Sequence, residues 1–242
     1  IPANSAAASS GNTEGIFGFG YDGSQTAVTN LVSNAGVVAT DTAGVGTARF
    51  QLGATQYGED KGIIGFGYAV GIGYTALSNL VSNAGVVATD QAASTGSARG
   101  TPSACSYGGD KGIFFGGDTG SPTGITNLVS NAGVVATDTA AVGTGRYGSG
   151  ACEYGSDKGI VGYGYPSGVV ATTNLVSNAG VVSTDVAGVG TARGNIAGCS
   201  YGGDKGIFGF GETGSYAMVG MTNLVSNAGV VATDTAAVGT AR

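Results

Sequence analysis

The chain has 242 residues, 49 of them Gly and 4 Pro, with 9 basic and 15 acidic side chains, a formal charge of −6, and no His or Trp. Gly and Pro together stay below the roughly 25–30% that marks aperiodic disordered chains, and a positive mean hydropathy with few charges excludes a charge-swollen polymer. No apolar run approaches the roughly 20 residues of a membrane-spanning helix, and no basic stripe is present, so neither a membrane nor a nucleic acid is expected as partner.

The chain opens on Ile1-Pro2-Ala3 without Met or a basic n-region, so no signal peptide is read and the compartment stays open. Internal repetition then dominates. The segment Asn-Leu-Val-Ser-Asn-Ala-Gly-Val-Val starts at Asn30, Asn79, Asn127, Asn174 and Asn223, at spacings of 49, 48, 47 and 49 residues. A second block, Gly15-Ile16-Phe17-Gly18-Phe19-Gly20, returns four times. Five units fill the chain, about 1–49, 50–99, 100–146, 147–193 and 194–242.

Each unit parses into four short strands. Strand A is rich in small residues, as over Gly100–Ser106, and strand B is the Gly-Ile-Phe-Gly block. Strand C covers Thr-Asn-Leu-Val-Ser, and strand D covers Gly-Val-Val-Ala-Thr-Asp. Asp60-Lys61-Gly62 and Asn83-Ala84-Gly85 have the Asx-x-Gly chemistry of tight hairpins. Short strands at this spacing, in units of 40–50 residues, predict an all-β fold: a single five-bladed β-propeller over 1–242, four antiparallel strands per blade. A β-solenoid would need shorter coils and more copies. A silk-like stack would not carry charges in register.

Those charges form a framework. Arg49, Arg99, Arg146 and Arg193, with Asp41, Asp90, Asp138, Asp185 and Asp234, sit beside the D–A junction, where Arg–Asp pairs are expected to bridge blades. Lys61, Lys111, Lys158 and Lys205 mark the A–B turn. The first unit departs most, with Pro2 in the Arg position and Thr13-Glu14 for Asp-Lys, and is expected to fray first. Cys105, Cys152 and Cys199 are each 47 residues apart, and an odd count leaves one unpaired; all three are read as small buried apolar residues.

Arg99, followed by Lys111-Gly-Ile-Phe-Phe-Gly-Gly117 and strands C and D, resembles a kelch-type propeller repeat, although only the third unit has the literal Gly116-Gly117. The near-identical copies are also similar to low-divergence repeat proteins of viruses and metagenomes, and to symmetric designed propellers. The resemblance implies the propeller fold and no particular partner.

The copies differ in length only in the B–C and D–A connections, which the up-down order places on one face. The B–C segments start at Tyr21, Tyr68, Asp118, Tyr165 and Glu212 and carry aromatics beside acids. Tyr21, Asp22, Tyr68, Tyr74, Asp118, Tyr165, Glu212 and Tyr216 are therefore the candidate ligand-binding residues, with the aromatic-plus-acid composition of carbohydrate sites. The expected function is non-catalytic binding of a glycan or a protein surface by a monomer. The alternatives are a natural or engineered symmetric scaffold without ligand and, more distantly, a hydrolase using Asp118 and Glu212. Without His, neither Ser nor Cys has a base, and no catalytic residue, metal site or cofactor is expected.

Overall fold

The computed structural model describes residues 4–10, 14–92 and 96–242; Pro2 and Thr13 lie outside the described residues. Every element is a strand. Repeat 1 supplies β1 (Ala6–Ser10), β2 (Glu14–Tyr21) and β3 (Gln25–Val32). Repeat 2 supplies β4 (Gly53–Tyr57), β5 (Lys61–Gly65), the short pair β6 (Tyr68–Ala69) and β7 (Gly73–Tyr74), and β8 (Ser78–Val81). Repeat 3 has β9 (Ser103–Tyr107), β10 (Lys111–Asp118) and β11 (Pro122–Val129). Repeats 4 and 5 have β12 (Gly150–Tyr154), β13 (Lys158–Gly162), β14 (Thr173–Val176), β15 (Ala197–Tyr201), β16 (Lys205–Gly209) and β17 (Thr222–Val225). Each repeat forms a three-stranded sheet with strand B in the middle, and in repeat 2 β6 and β7 make a separate two-stranded sheet. The chain divides into two compact units: Ile1–Pro102 with Asp110–Phe114 and Asn127–Thr139, and Ser103–Gly109 with Phe115–Thr126 and Ala140–Arg242.

Strand B is buried along both faces because it lies between its own A and C strands and a neighbouring repeat. Ile63, Ile64, Ile160 and Val161 have no exposed surface. Strand A alternates instead: Gly53, Thr55 and Tyr57 are buried, and Ala54 and Gln56 are half-buried.

Two sequence expectations are corrected. The A–B turn is Gly58-Glu59-Asp60, with positive φ at Gly58 and Glu59, so Lys61 and Gly62 already belong to strand B. The fourth strand does not form. After the turn at Asn83-Ala84-Gly85, Val87 bridges Val81 and Gln91 bridges Ser78, a register shift of one residue. The reason is the buried Asn79. Its Nδ2 donates to Ala88 O at 3.1 Å and to Asp90 Oδ1 at 2.9 Å, so a side chain takes the bonds a ladder would have used. Asn30, Asn127, Asn174 and Asn223 do the same.

The two fixed-length turns of a repeat lie together. Asp60 Oδ1 takes Lys61 Nζ at 2.9 Å and its Oδ2 takes Asn83 Nδ2 at 3.0 Å. Asp110, Asp157 and Asp204 repeat the pattern with Asn131, Asn178 and Asn227. Each framework Lys thus sits on its preceding Asp at the surface.

The framework arginines do more. Arg49, at the end of repeat 1, has no exposed surface. Its guanidinium lies 4.6 Å from the Phe19 ring of its own repeat. It donates to three groups of repeat 2: Nε to Phe66 O at 2.8 Å, Nη2 to Asn79 Oδ1 at 2.6 Å and Nη1 toward Asp90 at 3.5 Å. Asp90 in turn accepts from Thr47 N and Oγ1 of repeat 1. Gly46 (φ +88°) is needed there, since a Cβ would collide with Asp90 and Asn79. Arg146 and Arg193 join repeats 3 to 4 and 4 to 5 through Asn174 and Asp185 and through Asn223 and Asp234, and Arg99 meets Asn127 of repeat 3 at 2.6 Å. Guanidinium geometry suits this place, because a planar fork can stack on a ring and donate edge-on at the same time.

The apolar part of the seam is a close approach of strands. Cys152 Sγ and the Glu153 carbonyl of repeat 4 lie over Gly206 of repeat 5, where a Cβ would strike the sulfur. Cys105 over Gly159, Thr55 over Gly112 and Ala8 over Gly62 are the same contact. A backbone bond completes it: Gly58 N to Asp110 O, Gly108 N to Asp157 O, and Gly155 N to Asp204 O, at 2.7–2.8 Å.

Burial lowers Arg49, Arg99 and Arg146 to about 10, the facing Asp opposing the shift, and all three are charged at neutral pH. Replacing Arg49 by Ala leaves the buried Asn79 Oδ1 without its arginine donor and Asp90 without its facing cation, and is expected to destabilise by about 3–5 kcal/mol. The exposed Arg242→Ala is expected to stay within about 0.5 kcal/mol, both read by denaturant unfolding.

Desolvation would raise Asp90, Asp138, Asp185 and Asp234, but hydrogen bonds from Thr or Ser and from Asn outweigh it and hold them below the usual range. A carboxyl held low in the fold stabilises above its unfolded pKa and loses that contribution as pH falls through its folded value. The denaturation midpoint should therefore be flat from neutrality to about pH 4 and decline below it.

Candidate functional site

The variable loops of the second unit form a cleft of about 630 Å³. Four sequence-predicted residues line it, Asp118, Tyr165, Glu212 and Tyr216, together with Tyr147 and Asn195. The scaffold places them. Asp118 ends β10, where its Oδ1 accepts from Gly120 N at 2.8 Å and fixes the loop. Tyr165 follows strand B of repeat 4 and bridges Tyr147, the residue after the framework Arg146. Glu212 occupies the equivalent place in repeat 5, bridged to Gly194 after Arg193. The buried arginines therefore set the position of both loops.

Tyr147 and Tyr165 stack with ring centroids 5.4 Å apart at 24°. Glu212 is 8% exposed. Its Oε1 accepts from Tyr165 Oη at 2.7 Å and from Asn195 Nδ2 at 2.6 Å, so its Oε2 takes neither bond. Burial, then the hydrogen bond given to Glu212, raises the Tyr165 phenol well above the usual tyrosine range, so it stays a donor at neutral pH. Tyr216, at the tip of its loop, is 76% exposed. The arrangement offers an aromatic face, an anchored carboxylate and an amide, a set that hydrogen-bonds hydroxyls and stacks on an apolar ring face.

The other four candidates lie in the first unit. Tyr21, Phe50, Tyr68 and Tyr74 form a run of rings with successive centroids 5.4, 5.6 and 5.4 Å apart. Asp22 accepts from Ser24 and closes its own turn.

Phe50, Tyr147 and Asn195 were missed by sequence reasoning. Phe50 and Tyr147 are the residues after framework arginines, and the equivalent position is Gly100 or Gly194 elsewhere. That copy-to-copy change was a legible signal in the D–A connection.

Cys105 and Cys152 are buried, as expected, and burial raises both thiols, Cys152 to about 12. Cys199 is exposed, with Ala197, Ser200 and Tyr201 of the same strand, which corrects the expectation that all three cysteines are buried. Among the described residues no three or more His, Cys, Asp or Glu side chains cluster as a metal site would need. Among the described residues no helix is long and apolar enough to cross a membrane. Compared with known proteins, the chain matches no family model and no curated protein.

Alkylation of the folded chain should modify Cys199 at least about 100-fold faster than Cys105 or Cys152, because the latter two require local opening. Mass spectrometry after partial labelling checks this.

Proposed function

We propose that the chain is a non-catalytic binding module whose second unit takes a glycan, or a sugar-like or hydroxyl-rich patch of a protein surface, in the Tyr147–Tyr165–Glu212–Tyr216 cleft. The observation that supports it is the anchored carboxylate. Glu212 is nearly buried, yet it is held by two neutral donors on one oxygen and has no cation beside it among its hydrogen-bond partners. A carboxylate kept in that state at the wall of an aromatic cleft is suited to accept from a ligand hydroxyl.

The purely structural reading is favoured by a different observation, the clasp repeated at each seam, which joins successive repeats without needing a ligand. The distant hydrolase reading rests on Asp118 and Glu212 lining one cleft. The closed five-bladed ring with four strands per blade, and its kelch-like kinship, belong to this proposal as its less favoured arrangement. In the strand that would face the axis in the last repeat, Ala197–Tyr201, every residue but Gly198 is exposed.

A glycan array followed by calorimetry on the best hit tests the binding reading. Tyr216→Ala removes an exposed ring, and is expected to weaken binding about tenfold or more while moving the thermal midpoint by less than about 2 °C. An array without hits, or a hit indifferent to both Tyr216→Ala and Glu212→Gln, rejects the cleft as a binding site and leaves the scaffold reading.

A further inference from the structure

Four seams between repeats are completed within the chain, and each uses the same two faces. The following repeat presents the Gly of strand B, the next apolar residue of that strand but one, the Asn–Asp pair and the Gly of the Asn-Ala-Gly turn. The preceding repeat presents strand A, the A–B turn and the arginine. One copy of each face is left over.

In repeat 5 the strand-A face is uncovered. Ala197, Cys199, Ser200 and Tyr201 are exposed, whereas Gly150, Cys152 and Tyr154 of repeat 4 are buried. A Cβ on Gly202 would meet nothing, whereas one on Gly155 or Gly58 would strike the turn carbonyl of the following repeat. Arg242 stacks on Phe210 at 4.0 Å, as the other arginines stack on their own aromatics, but it is exposed and none of its guanidinium nitrogens has a hydrogen-bond acceptor among the described residues.

In repeat 1 the opposite face is uncovered. Phe17 is half-exposed, whereas its equivalents Ile64, Phe114, Val161 and Phe208 have no exposed surface. Gly36 has open space where Gly133 and Gly229 are covered by Tyr57 and Tyr154. Asn30 Nδ2 bonds Ala39 O and Asp41 as in the other repeats, but Asn30 Oδ1 receives no arginine, and Asp41 is exposed.

We infer that this chain associates head to tail with a second copy of itself, strand A and Arg242 of one copy seating on Gly15, Phe17, Asn30 and Asp41 of the next. The occupant is specified by continuity with the completed seams. At Gly15, Asn30, Gly36 and Asp41 the free acceptor half carries the residue types of the completed seams, its charge is opposite to that of Arg242, and a glycine already stands where Cys199 would lie. The contact is heterologous, so association either continues or stops when a ring of copies closes.

The test is sedimentation velocity on the full chain across a wide concentration range, with Asp41→Arg and Arg242→Glu as variants. Both altered side chains are exposed. The wild-type weight-average mass is expected to rise at least about twofold with concentration, and Cys199 alkylation to slow at least about tenfold over the same range. Each variant alone sets like charges across the seam and should stay monomeric. An equimolar mixture restores opposite charges at every contact and should regain the growth. A wild-type monomer at all concentrations overturns the inference, as does growth that neither variant reduces, or a mixture that fails to regain it. Closure of the two faces within one chain would give the first of these results.

Discussion

Four arginines with no exposed surface each span the boundary between the repeat that carries them and the repeat that follows. The ring under the guanidinium and the carbonyl two residues back belong to one side, and the Asn amide and the Asp carboxylate at its edge belong to the other. Neither repeat can satisfy that charge alone. Small three-stranded sheets are marginal by themselves, and here the desolvated cation makes burial conditional on a correctly placed neighbour. The Asn that receives the arginine also diverts the chain out of a fourth strand. Local strand geometry and repeat-to-repeat packing are thus consequences of one buried polar group.

Much of this was legible in the sequence because period, charge and glycine all repeat together. The all-β class, the A, B and C strands and the pairing of framework Arg with Asp follow from residue type at fixed spacing. The fourth strand was not legible. Gly-Val-Val-Ala-Thr-Asp has good strand propensity, and only the unseen reach of Asn79 to Ala88 and Asp90 shifts its register. The A–B turn was misplaced for a similar reason. Asp60 looks like a turn residue, but its carboxylate serves Lys61 and Asn83 across two turns rather than its own backbone alone. Cys199 shows the limit of arguing from equivalence: position in a repeat fixes the contact a residue can make, and the neighbour decides whether it is made.

The candidate site illustrates the same division of labour. Tyr165 and Glu212 vary between copies, but each lies a few residues past a carbonyl held by the buried arginine of the preceding repeat, Val161 by Arg146 and Phe210 by Arg193, so changes in the loop do not disturb its base. Tyr147 is not marked by loop length, since it is the single residue after Arg146 and lies outside the long B–C loops. Its value lies in pairing: a bridge across two connections brings the rings to 5.4 Å, which no count of loop length reveals.

The arginine at the end of each repeat has a bearing on how such a chain can change its length. Because its ring partner lies upstream and its amide and carboxylate partners downstream, the unit that is chemically self-consistent runs from any point in one copy to the same point in the next. An in-register gain or loss of such a stretch, of the kind that recombination between near-identical gene segments produces, regenerates an intact junction wherever the crossover falls. An out-of-register event strands a desolvated cation. The same feature that makes each boundary demanding therefore makes the number of repeats freely adjustable.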